Sequence, residues 1–109
     1  MPRSVPAPFH CDLVPEDGRV LMRLAGELDL SSTPVLEQRL REALDSGRQL
    51  VVDLRNLDFM DSTGLTLLVR WARGAEQDGY ELALVRGEPR VHRLFELTGL
   101  DAAFTFTDG

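Results

Sequence analysis

The run Leu50-Val51-Val52-Asp53-Leu54 sets the tightest limit on what this chain can fold into. Four apolar residues out of five suit a strand covered on both faces, as strands are in parallel sheets. A loop through Asp58, Phe59 and Met60 should then lead into a long amphipathic helix, predicted over 62–78 and stopped by Gly79. Leu65, Leu68, Val69, Ala72 and Ala75 recur at helical spacing and form its core stripe, with Trp71 pointing into the same apolar arc. Thr63, Thr66, Arg70, Arg73 and Gln77 make the polar face, and Leu67 lies at the margin of the stripe toward solvent. A strand that feeds such a helix needs a crossover connection, and hence a parallel neighbour.

The other segments fit around that unit. Phe9 to Val14 alternates, Pro15-Glu16-Asp17-Gly18 reads as a turn, and Val20 to Ala25 alternates again, which together predict an antiparallel hairpin. Ser31-Ser32-Thr33-Pro34 reads as a helix start, with Thr33 as the N-cap and Pro34 at the first helical position. Leu36, Leu40, Ala43 and Leu44 carry that helix to Gly47. Tyr80 to Val85 is a further strand, and Val91, Leu94 and Phe95 mark a short helix between Pro89 and Gly99. Phe104 and Phe106 alternate in a final strand or extended segment and are expected in the core. The order is β-β-α-β-α-β-α: a single α/β domain over residues 9–109 with a mixed, mostly parallel sheet. Residues 1–8 hold three prolines and no apolar stretch, so a flexible tail is expected there rather than a signal peptide.

Charge and composition remove several functions. The net charge is -6, and the twelve basic residues, all arginine, are scattered, so neither nucleic acid nor an anionic membrane is an expected partner. No apolar run is long enough to span a bilayer. Cys11 is the sole cysteine and is expected to be a small buried hydrophobe, with no disulfide or cysteine-based metal site. His10 and His92 have no place in a catalytic triad, and His92 is expected at the surface. Met60 stands where a nucleophile elbow around Ser62 needs glycine, and no phosphate-binding P-loop is present.

Chemistry therefore concentrates in Asp58-Phe59-Met60-Asp61-Ser62-Thr63-Gly64-Leu65. A helix that starts here presents unpaired N–H groups and a positive dipole end together with two hydroxyls. Ser62 is thus a hydroxyl where an added phosphate is tolerated, although Asp58 and Asp61 would crowd it with like charge. The competing account is that these residues simply cap a helix. Asp29, Asp58 and Asp61 would suit Mg²⁺ if they converged, but acids at such places ordinarily cap turns and helices.

Three blocks, G-E-L-D at 26–29, L-V-V-D-L at 50–54 and F-M-D-S-T-G-L at 59–65, together with their spacing, resemble the STAS domain of bacterial anti-sigma factor antagonists. The resemblance runs from about Phe9 onward. It implies that Ser62 is phosphorylated by a cognate anti-sigma factor that is a serine kinase, with Thr63 the lesser candidate. It also implies that the unphosphorylated chain binds that kinase and so releases a sigma factor, and that a metal-dependent phosphatase resets the switch. Asp29 matches the acidic residue beside the acceptor. The contact surface implied is Asp29, Leu30, Ser31 and Ser32 before the first helix, with Asp61, Ser62, Thr63, Thr66, Leu67 and Arg70 on the second. Such a protein is cytoplasmic, needs no cofactor or metal, and is a kinase substrate rather than an enzyme. The alternatives are a STAS scaffold or adaptor subunit in a stress-signalling or lipid-transport complex, and a small serine hydrolase.

Overall fold

A computed structural model describes residues 8–108. Apart from Pro8, the tail expected over residues 1–8 lies outside the described residues. The elements in order are β1 (His10–Glu16), β2 (Arg19–Leu28), α1 (Thr33–Ser46), β3 (Gln49–Met60), α2 (Ser62–Asp78), β4 (Glu81–Val85) and α3 (Pro89–Thr98). A 3-10 turn, Leu100–Ala103, and β5 (Thr105–Thr107) complete the described chain. The sheet runs β1-β2-β3-β4-β5. β1 and β2 pair antiparallel, from His10 opposite Ala25 to Glu16 opposite Arg19, and every other pair is parallel.

The α/β reading holds, with the extended C-terminal segment resolved as a fifth strand on β4. Side-chain alternation divides the sheet. Val20, Met22 and Leu24 of β2, Leu50, Val52 and Leu54 of β3, and Leu84 of β4 join the main core. Leu36, Leu40 and Ala43 of α1, Leu65 and Leu68 of α2, and Val91 and Phe95 of α3 close over them. β3 is buried on both faces, but its second face has a different cover. There Val51 clusters only with Leu21, Val85 and the edge of Val14, all from neighbouring strands. Asp53, also on β3, is buried and held by a two-point ion pair with Arg55. No helix among the described residues is long and apolar enough to cross a membrane.

Three expectations are corrected. The loop predicted through Asp58–Met60 is the end of β3, which pairs with β2 as far as Leu28 opposite Met60 across two register shifts. Backbone pairing carries the strand past its apolar run, because a bulged ladder tolerates polar side chains that point to solvent. The N-cap of α1 is Ser32 rather than Thr33, and the Thr33 hydroxyl instead donates to the Leu30 carbonyl at 3.1 Å. His92 is not a surface residue: it is 5% exposed, stacked on Phe95 at 5.5 Å and edge-on to Phe106 at 5.2 Å. The chain folds back over α3 after the 3-10 turn, and periodicity within α3 carries no sign of that return.

Candidate functional site

The two short blocks around Asp29 and Ser62 meet because β2 and β3 are parallel and end side by side. Leu28 pairs with Met60, and the Asp61 N–H donates to the Leu28 carbonyl at 3.1 Å. Both loops therefore leave the same end of the sheet. Gly64 lets α2 start this close: a Cβ there would stand 2.7 Å from Leu28 Cγ and 3.1 Å from Met60 Cγ.

Each loop is organised by one aspartate. Asp29 Oδ1 accepts from the Ser31 N–H at 3.0 Å, the Ser31 hydroxyl at 2.7 Å and the Ser32 N–H at 3.2 Å. These bonds, the Ser31 hydroxyl foremost, hold the Asp29 carboxyl below the usual carboxylate range. The Ser32 hydroxyl donates to the Glu27 carbonyl at 2.9 Å and accepts from the Asp29 N–H at 2.9 Å. Asp61 is the N-cap of α2. Its Oδ1 accepts from the N–H groups of Thr63 at 2.9 Å and Gly64 at 3.2 Å, and from the Thr63 hydroxyl.

Ser62 is left free by this arrangement. It is exposed, and its hydroxyl has no hydrogen-bond partner among the described residues. It opens on a surface cleft of about 300 Å³ between α1 and α2, lined by Thr33, Pro34 and Glu37 on one side and Ser62, Thr66 and Arg70 on the other. Arg70 bonds Glu37 across the cleft at 3.2 Å, and Glu37 also takes Arg41 at 3.3 Å.

The structure brings most of the expected surface together. Leu30, Ser31, Ser62, Thr66 and Arg70 are exposed, while Asp29, Asp61 and Thr63 are half-buried. Two expected contact residues are not on the surface. Ser32 is 7% exposed, because its hydroxyl is consumed inside its own loop. Leu67 is 4% exposed, because α1 packs against that side of α2 and makes it the floor of the cleft. Asp29, Asp58 and Asp61 do not converge: Asp58 faces Arg90 at 3.5 Å, and no metal-ligating group of three or more His, Cys, Asp or Glu exists among the described residues. The α1 wall is the part that sequence reasoning missed. Its only signal was the four-residue spacing of Thr33, Glu37 and Arg41, which puts them along one helix face.

Comparison with known proteins agrees with this architecture. A family described as "Mlab, STAS domain" matches residues 11–106. The anti-sigma-B factor antagonist of Staphylococcus aureus (strain NCTC 8325 / PS 47) is 37% identical over 89 residues, which is 81% of this chain and 82% of the relative. That of Bacillus subtilis (strain 168) is 34% identical over 84% of each chain. The crystal structure of an anti-sigma factor antagonist from Mycobacterium paratuberculosis superposes with a TM-score of 0.80 at 28% identity, covering 98% of this chain and 92% of the other. The anti-sigma factor antagonist SpoIIAA in its unphosphorylated form shares the fold, with a TM-score of 0.71 at 24% identity over 92% of this chain and 88% of that one.

Proposed function

The chain belongs to the STAS-domain family that includes the anti-sigma-B factor antagonists, and we propose that it is itself an anti-sigma factor antagonist switched by phosphorylation of Ser62. In its unphosphorylated form it binds an anti-sigma factor of the serine-kinase type in the cytoplasm and frees the sigma factor. The kinase transfers phosphate to Ser62 and lets go, and a metal-dependent phosphatase restores the free hydroxyl. The chain is a substrate in this cycle and performs no catalysis.

The observation that carries this reading is the unequal treatment of the two adjacent hydroxyls. Thr63 is tied to the Asp61 carboxylate, whereas Ser62 is exposed and unbonded among the described residues. A kinase active site needs a hydroxyl that reaches it without first breaking a cap.

The same cap supports blocking as the mode of switching. A phosphate brings about -1.5 to -2 charges at neutral pH. A bare helix N-terminus would absorb part of that charge through its N–H groups and dipole. Here the Thr63 and Gly64 N–H groups are already given to Asp61. The cation that lines the cleft, Arg70, is engaged by Glu37. The new charge therefore stays displayed toward the partner, where like-charge juxtaposition costs several kcal/mol.

The test is capture from native lysate with wild-type, Ser62→Ala and Ser62→Asp baits. A kinase-type anti-sigma factor retained by Ser62→Ala and lost from Ser62→Asp is the expected result. Equal retention of the same partners by all three baits would reduce Ser62 to a residue of the helix start and favour a scaffold role.

A further inference from the structure

α3 turns a second face outward, away from the cleft that holds Ser62. Val91, His92 and Phe95 are buried, which leaves Arg90, Arg93 and Leu97 along the opposite face at helical spacing, with the partly buried Leu94 at its margin. Leu97 is 72% exposed, and Phe59, from the end of β3, stands beside it at 47%. Together they line a depression of about 210 Å³ whose floor is Met60 and Val91. Two of the four large apolar side chains exposed on the described surface meet at this one depression. Arg90 has only a 3.5 Å contact with Asp58, both side chains being more than half exposed, and Arg93 has no ion pair among the described residues. An apolar patch rimmed by Arg90, Arg93 and the single carboxylate of Asp58 has a net positive rim on a chain whose net charge is -6.

We propose that this face is a docking surface for an acidic amphipathic helix of a partner protein, which seats Leu-sized side chains against Phe59, Leu94 and Leu97 and carboxylates against Arg90 and Arg93. The charge favours that occupant. A second copy of this chain would bring the same arginines face to face in a two-fold contact. Two cations on an acidic protein do not hold a nucleic-acid backbone. A strand has no open edge to join here, because β2 pairs with β3 as far as Met60 and, beyond Asp53 where the pairing with β4 stops, α3 packs against the other side of β3. What remains is a groove read by side chains, the mode in which a helix lays its apolar face into a partner. The surface stands on its own charges and does not require Ser62 to be modified.

The test places a photo-crosslinking benzoylphenylalanine at position 97 of the full chain, and at exposed position 17 as a control, in cells that normally make the protein. The expected adduct forms from position 97 only and joins a segment of another protein that mass spectrometry reads as acidic and amphipathic. Arg93→Glu should lower its yield about tenfold, as expected for a charge placed against a matching one, and Arg93→Lys should preserve it. Circular dichroism of each variant confirms that the fold is intact. Absence of an adduct, an adduct to a second copy, a crosslinked segment without carboxylates, or a yield indifferent to Arg93→Glu would each overturn the proposal.

Discussion

At the level of single residues, the start of α2 separates structural duty from regulatory duty. Asp61 holds the helix, Thr63 serves Asp61, and Ser62 is bonded to neither. Asp61→Ala should therefore cost about 1 kcal/mol of stability, the usual value of a lost N-cap. Ser62→Ala should stay within about 0.5 kcal/mol of wild type, as exposed unbonded positions do. Urea titrations of the two variants check both, and a larger loss for Ser62→Ala than for Asp61→Ala would contradict the assignment. Cys11 gives a pH signature of a different kind. Burial pushes its thiol up from 9.0 to about 11, against the opposing charge and hydrogen bond of Arg39. A thiol raised in the folded state stabilises fully below its unfolded pKa and loses that contribution as pH climbs through the folded one. Stability should thus fall by about 2–3 kcal/mol between pH 9 and pH 11, from a shift of about two units. Denaturant titrations across that range should show the fall in wild type and a shallower slope in Cys11→Ala.

At the level of elements, the site depends on how closely α2 approaches the ends of β2 and β3. Gly64→Ala would drive a methyl into Leu28 Cγ at 2.7 Å, and overpacking of that kind costs about 1–3 kcal/mol. Since α2 must shift to relieve it, the variant should lose partner binding along with melting temperature. Normal binding at a lowered melting temperature would show that the position of α2 is not critical. The same elements explain what the sequence disclosed. α2 was legible almost residue for residue, because its apolar stripe, the D-S-T-G start and the Gly79 stop agree with one another. The hairpin and the core run of β3 were legible from alternation and from Leu50–Leu54. The far end of β3 was not, since Phe59 and Met60 are held by pairing with β2, with Asp58 the extra residue at a register shift, rather than by an apolar pattern. Leu67 and His92 were misplaced for a shared reason: each is covered by another element, α1 for Leu67 and the Phe106 strand for His92. Helical periodicity describes one element at a time and is blind to such cover.

At the level of the whole molecule, the helices among the described residues cover one face of the sheet, so both loops of the site are mounted at one end of a two-layer body. The cap and the Asp29 loop are each satisfied without any bond from the Ser62 hydroxyl, so a phosphate there has nothing to break. Ser62→Asp should then show the far-ultraviolet circular dichroism of wild type and the same cooperative unfolding; a changed spectrum would point to switching by refolding instead. The most direct measurement is the affinity of a purified kinase-type anti-sigma factor for the unmodified chain and for the chain phosphorylated at Ser62. Repulsion of several kcal/mol implies binding weaker by about a hundredfold or more after phosphorylation. Equal affinity for the two forms would contradict the account at its centre.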